Sequence, residues 1–174
     1  MVERKKIRIL SIGSLRYAKG FDVLIRAMNL LKNKEQFGLL ILCKGSLCDE
    51  LHSQVKEMGL ESCIKLGGFI HDPGPFYSIA SLFVLSSRYE GFAGVLLEAL
   101  SFGVPIISTD CKSRPAEILE NGKWGKLVPV ENPGLLAKAI DEALESNHAS
   151  NALKERAKYF APRVVAQRYL DLMA

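Results

Sequence analysis

The feature that most constrains this chain is a rhythm. Short apolar runs, too unbroken to lie half in water, alternate from end to end with stretches of helical spacing. The first run, 7–12, stops at Gly13, and Phe21, Leu24, Met28 and Leu31 then recur at intervals of 3, 4 and 3, one face of a 3.6-residue period. A second run, 39–43, is short enough for a buried strand. Ser46 with Asp49 three residues later reads as a helix-capping pair, and Gly59 as that helix's stop. The alternation continues with strands predicted at 63–66, 82–85, 105–108 and 126–130. Helices are predicted after Pro75, over 94–102, from Pro115, and after Asn132-Pro133, where an N-cap precedes proline at the first helical position. Leu136, Ala139, Ile140, Ala143 and Leu144 form the apolar stripe of that last helix, and 151–174 reads as one or two helices broken near Pro162. Unalternating strands separated by helices predict an α/β chain: a doubly wound, Rossmann-like parallel sheet in three α/β/α layers. At 174 residues this is a single domain's length.

Several function classes drop out. The longest apolar run, 39–43, is far below the roughly 18–20 residues of a membrane span, and Arg8 interrupts the first run, so no secretory signal is read there. A net charge of +4 is too small to argue for nucleic acid. The four cysteines (Cys43, Cys48, Cys63, Cys111) lack paired C-x-x-C spacing, and His52, His71 and His148 are scattered with no Asp-x-Asp, so neither metal nor cofactor is expected. Thiols so placed suit a reducing, cytoplasmic compartment. Arg4, Lys5, Lys6 and Arg8 read as a solvated lead-in to the first strand, with peripheral contact at an anionic membrane face as the other reading.

Ligands of such sheets bind beyond the carboxyl ends of the strands, which directs attention to loops 13–20, 44–47, 67–75, 86–94 and 109–115. The stretch Ser87-Arg88-Tyr89-Glu90-Gly91-Phe92-Ala93-Gly94 joins a strand end to a helix start. Gly91 and Gly94 admit close backbone approach, and the N–H groups and macrodipole of a helix start suit a phosphate. Glu90 and Glu98 are carboxylates suited to sugar hydroxyls, unless they are simply a helix-start acid and a solvated helix residue. Loop 13–20 carries Gly13, Arg16, Lys19 and Gly20. Its two cations can neutralise a diphosphate or lie solvated on the surface, and it is neither a Walker A loop nor G-x-G-x-x-G.

At Glu90-x7-Glu98, combined with Gly13-x-Leu15-x3-Lys19-Gly20, the chain resembles the donor-binding half of glycosyltransferase family 4, retaining enzymes of the GT-B fold. Gly45, Gly68-Phe69, Pro73-x-Pro75, residues 83–92, Glu98-Ala99-Leu100, Gly103-x-Pro105, 108–111, Glu117-Ile118-Leu119 and Gly125-x-Leu127-Val128-Pro129 match in order, so the likeness covers nearly the whole chain. The resemblance implies a chain, 1–174, that is the C-terminal donor domain, with an N-terminal acceptor-binding domain not in this sequence. It implies that Glu90 lies against the donor sugar, Glu98 holds the ribose and Lys19 neutralises the leaving diphosphate. The backbone of Phe92, Ala93, Gly94, Val95 and Leu96 contacts sugar and diphosphate, Gly13 and Gly45 line the donor loops, and Phe69 and Ile70 seat the base. Thr109-Asp110-Cys111 and Pro73-x-Pro75 look like members using UDP-linked sugars for polysaccharide or glycolipid assembly. The implied partners are a nucleotide-sugar donor and a saccharide or lipid-linked acceptor. The implied isolated chain binds donor with little or no turnover, and the last helix either crosses toward the other domain, leaving Tyr159, Phe160, Val165, Tyr169 and Leu172 partly exposed, or packs these residues on this domain's own sheet.

The chain departs from the family at Ser14, where the family has a diphosphate-binding Arg, and at Ala93 and Ser81, where it commonly has Gly and Asp. Losing that cation costs about 2–4 kcal/mol in a transition state unless Arg16 substitutes for it. The departures motivate a rival, a catalytically degenerate nucleotide-sugar-binding or regulatory module. A phospho-acceptor domain needs clustered acids where Gly13-Ser14 stands, and a flavodoxin-like carrier needs a Ser/Thr-rich first loop.

Overall fold

A computed structural model describes residues 7–112, 115–143 and 150–173. The apolar runs become six strands: β1 (Ile7–Ser14), β2 (Phe37–Lys44), β3 (Ile64–Leu66), β4 (Leu82–Leu85), β5 (Ile106–Thr109) and β6 (Lys126–Val128). They form one sheet of order β3-β2-β1-β4-β5-β6 with every pairing parallel. Between them run α1 (Phe21–Asn29), α2 (Cys48–Glu57), α3 (Gly74–Ile79), α4 (Gly94–Phe102), α5 (Pro115–Ile118), α6 (Pro133–Ala143), α7 (Ser150–Lys158) and α8 (Pro162–Met173).

The strands are apolar on both faces because both faces are covered. Ile9, Leu39, Ile41 and Val84 point into a core closed by α1, α2 and α6. Leu10, Leu42, Phe83 and Leu85 point the other way, into a core closed by α3, α4, α5 and α7. The layered, doubly wound architecture expected from the pattern is the one observed. Helix α8 buries no residue; Tyr169, Leu170 and Leu172 are exposed, Val165 and Phe160 half-buried.

Local boundaries differ for identifiable reasons. β1 runs past Gly13 because Gly13 and Ser14 continue the ladder against Cys43 and Lys44. β6 ends at Val128 and leaves Val130 exposed. The Ser46–Asp49 cap does not form: Leu47 is the N-cap of α2, with no side-chain cap bond. The Leu47 N–H is instead donated to the Leu15 carbonyl (3.3 Å) and the Leu15 N–H to Lys44 (3.0 Å), so docking of one loop on another overrides local preference. The Asn132 cap does form, its Oδ1 accepting the Leu135 N–H at 2.9 Å. Arg4, Lys5, Lys6, Leu144 and His148 lie outside the described residues.

The chain builds outward from β1 to β3, then crosses back to place β4 on the other side of β1. That reversal opens a crevice above the carboxyl ends of β1 and β4, where ligands of such sheets bind.

Candidate functional site

Since β1 and β4 are neighbours running the same way, the loops that leave them lie side by side. They are sewn together by backbone: the Arg88 and Tyr89 N–H groups donate to the Ala18 carbonyl (2.8 and 3.3 Å), and the Ser86 hydroxyl donates to the Lys19 carbonyl (3.0 Å). This brings two residues 71 positions apart face to face. Lys19 Nζ donates to both Glu90 carboxylate oxygens at 2.7 Å, and the Ser87 hydroxyl adds a third bond to Glu90 at 2.5 Å. The Glu90 side chain is 4% exposed and that of Lys19 22%, so neither is a solvated surface charge. Thr109, at the end of β5, donates to the Ser87 carbonyl (2.6 Å) and holds this turn from behind. Gly13 leaves room for the lysine stem: a Cβ there would stand 3.3 Å from the Phe21 ring and 3.4 Å from Lys19 Cδ.

Beside the pair, α4 begins at Gly94 with buried Ala93 as its N-cap and no side chain capping it. Two N–H groups expected to face a ligand are used locally, Gly94 donating to Phe92 (2.8 Å) and Leu96 to Ala93 (2.9 Å). The approach is nevertheless open. A Cβ at Gly91 would meet nothing within 4 Å, and one at Gly94 only the Phe92 ring, at 4.0 Å. Phe92 is exposed, Val95 half-buried and Leu96 buried.

Glu98 stands one turn into α4, exposed, and its neighbour is Tyr77 from α3. The Tyr77 ring is buried, stacked on Phe102 (5.5 Å between centroids), and its hydroxyl donates to the Val95 carbonyl at 3.2 Å. Burial first, and the Glu98 charge second, push the phenol's pKa far above its ordinary value and keep it a donor.

On the other side of β1, a cavity of about 270 Å³ opens over the ends of β1 and β2. Gly13, Ser14, Cys43, Phe69, Ile70 and Pro73 are among its walls. The Cys43 thiol is pushed up to about 11 by burial and, less, by Cys48. Gly45 is not a wall: a Cβ there would sit 2.5 Å from the Leu15 carbonyl oxygen, so this glycine serves loop packing. Arg16 is exposed just before the 3-10 turn Tyr17–Lys19, and Ser14 lies half-buried. Ser81 is at the opposite end of the sheet, where its N–H donates to Arg8 (2.8 Å), so that departure does not touch the site.

Arg88 is the residue that motif spacing did not single out. Its side chain is 6% exposed. Nη1 donates to the Tyr17 carbonyl (2.8 Å), Nη1 and Nη2 clasp both Asp22 oxygens (2.7 Å each), and Nε donates to Glu131. The guanidinium also lies over the Tyr17 ring, 4.0 Å from its centroid. Burial raises the Asp22 pKa, but the Arg88 hydrogen bonds and charge, with Arg26, outweigh it and hold the carboxyl below its ordinary value. The Asp22 hydrogen bond raises that of Arg88 in turn.

Among the described residues no group of three or more His, Cys, Asp or Glu is arranged to hold a metal. None of the described helices is long and apolar enough to cross a membrane.

Three comparisons bear on this geometry. The model of the family described as glycosyl transferases group 1 matches residues 2–160. The chain is 35% identical, over 86% of its length, to a Campylobacter jejuni N-acetylgalactosamine-N,N'-diacetylbacillosaminyl-diphospho-undecaprenol 4-alpha-N-acetylgalactosaminyltransferase, and covers 40% of that protein. It is 30% identical, over 98% of its length, to the amylovoran biosynthesis glycosyltransferase AmsD of Erwinia amylovora, covering 49% of it. The fold superposes on Anabaena HepE, solved with UDP and glucose, with a TM-score of 0.82 at 23% identity, over 97% of this chain and 48% of that one. The chain thus spans less than half the length of these relatives.

Proposed function

The chain belongs to group 1 of the glycosyl transferases, with a GT-B type of fold, and from that premise we propose that it is the donor domain of a retaining enzyme that transfers a sugar from a UDP-linked donor to a saccharide or lipid-linked acceptor. The observation that carries this reading is the Lys19–Glu90 pair, set above the β1–β4 crevice beside the start of α4. Breaking the bond between the sugar C1 and the phosphate oxygen grows positive charge on the ring and negative charge on the diphosphate. Lys19 and the α4 dipole stabilise the second, Glu90 the first. Fixed positive charge here fills the place a divalent ion takes elsewhere, so the reading uses no metal. Phe69 and Ile70 offer an apolar wall to the base, and Glu98 offers acceptor oxygens to ribose hydroxyls.

The relatives support the finer choices. The Campylobacter enzyme's name specifies a hexosaminyl transfer onto a diphospho-undecaprenol carrier, and HepE was solved with UDP. A lipid-linked acceptor places the reaction at the inner face of a membrane, with peripheral contact. An N-terminal domain binds the acceptor, and this chain alone binds donor without appreciable turnover.

Calorimetric titration with UDP, GDP and ADP tests the reading. UDP is expected to bind selectively, and Lys19→Ala and Glu98→Ala each to weaken it about tenfold. Equal indifference to all three nucleotides overturns it. Ser14, standing where the family places an arginine, favours one rival: a module that binds donor but does not transfer. In the full-length protein Glu90→Gln abolishes transfer-dependent function under the catalytic reading and leaves it intact under the rival.

A further inference from the structure

The ladder between β1 and β4 is short. Only Ile9 with Leu82 and Leu10 with Phe83 are paired as ladder partners, and above them the Ser11 hydroxyl, donating to the Val84 carbonyl (2.7 Å), is a side-chain tie between the two strands. Beyond the strand ends the ladder stops, yet the two turns flanking the crevice hold charges 2.7 Å apart. Something above the sheet must fix one turn on the other.

Arg88 is built for that task. Its backbone N–H is bonded to Ala18 and its Nη1 to Tyr17, so both ends of one residue grip the segment immediately before Lys19. The two-toothed bond to Asp22 fixes the plane of the guanidinium against the first turn of α1, and the Nε bond to Glu131 braces it from the β6–α6 turn. Glu131 adopts a left-handed backbone (φ +57°), uncommon for a residue with a side chain, at the position from which it reaches Arg88. Burying a guanidinium and satisfying it from three elements is an expensive way to fill space. An apolar side chain of similar volume is often equally stabilising. What an apolar residue cannot supply is direction, and the rigid donor fork does.

Resting on the donor reading above, we propose that Arg88 is a positioning residue: it locks the Lys19 turn onto the Glu90 turn and thereby sets the grip on the second phosphate of a nucleoside diphosphate. It touches neither substrate nor reacting atoms. The distinguishing readout is the ratio of UDP to UMP affinity, because UMP lacks the second phosphate while sharing base and ribose.

Titrations with UDP and UMP, on the 174-residue chain at a temperature where circular dichroism shows each variant folded, decide the matter. Arg88→Gln is expected to weaken UDP about tenfold and UMP less than about twofold. In a Lys19→Ala background the same substitution is expected to change UDP affinity by less than about twofold, since the group it positions is gone. Asp22→Asn, which keeps volume and removes the clasp, is expected to show the same selective loss and serves if Arg88→Gln does not fold. An unchanged UDP:UMP ratio, or an effect that persists without Lys19, overturns the positioning role alone. A parent chain that does not discriminate UDP from UMP overturns the donor reading and the positioning role with it.

Discussion

An ammonium clasping both oxygens of a carboxylate, with a serine hydroxyl on the same acid, is a closed arrangement. A diphosphate that recruits Lys19 has to draw it away from Glu90. The pair is partly buried, so the competition is worth more than at an exposed surface, where such contacts contribute about 0–1 kcal/mol. Glu90→Gln keeps the shape and removes the competing charge. The expected result is that UDP binds the variant more tightly, by about fivefold, or roughly 1 kcal/mol, even though Glu90 is needed for transfer. Calorimetry at low and high salt checks this, with the gain shrinking as salt rises. Weaker binding to the variant would mean that Glu90 holds Lys19 ready for the phosphate rather than away from it. This residue-scale juxtaposition was only half legible in the sequence. Gly13, Lys19, Glu90 and Gly91 were visible as chemistry in two loops, but their contact depends on β4 being laid beside β1.

At the scale of elements, periodicity carried most of the information. Strands apolar on both faces and helices with one apolar face announced the layers, and starts at Gly94, Pro115 and Pro133 followed from glycine and proline punctuation. What local rules missed was loop-on-loop docking. Ser46 is a sound N-cap in isolation, yet Gly45 packs against the Leu15 backbone and the cap falls at Leu47. Gly20 shows the same logic. It ends the 3-10 turn and opens α1 with a left-handed backbone (φ +61°), and a Cβ there would lie 2.1 Å from the Ser86 carbonyl oxygen. Gly20→Ala therefore combines backbone strain with a collision against main chain that cannot rotate away. A loss of about 2–4 kcal/mol in urea unfolding is expected. An alanine variant within about 0.5 kcal/mol of the parent would mean the two loops are not held in this contact.

The whole molecule depends on charge as well as on its two apolar cores. From the β4–α4 turn, Arg88 joins α1, the Tyr17–Lys19 turn and the β6–α6 turn through partners 66, 71 and 43 positions away in the chain. No sequence window contains that network, so Arg88 read only as one letter of a motif. Its consequence is a pH dependence of folding. Asp22 is held below the ordinary aspartate value of 3.8 despite its burial, because Arg88 and Arg26 favour the charged form. A carboxyl whose folded pKa is depressed contributes stability that is fully present above its unfolded pKa and disappears as pH falls through its folded one. At neutral pH, Asp22→Asn is expected to cost about 1–2 kcal/mol, or roughly 3–6 °C in Tm. As pH falls below 3.8 the contribution shrinks, and it is gone once pH has passed through the depressed folded value and Asp22 is protonated in the folded chain too, so the two melting curves converge on acidification. Thermal melts of both proteins between pH 7 and pH 2.5 check this. A Tm gap that stays constant across that range would mean the carboxylate is not what the arginine stabilises, and the clasp linking the three elements would owe its strength to the bonds to Tyr17 and Glu131.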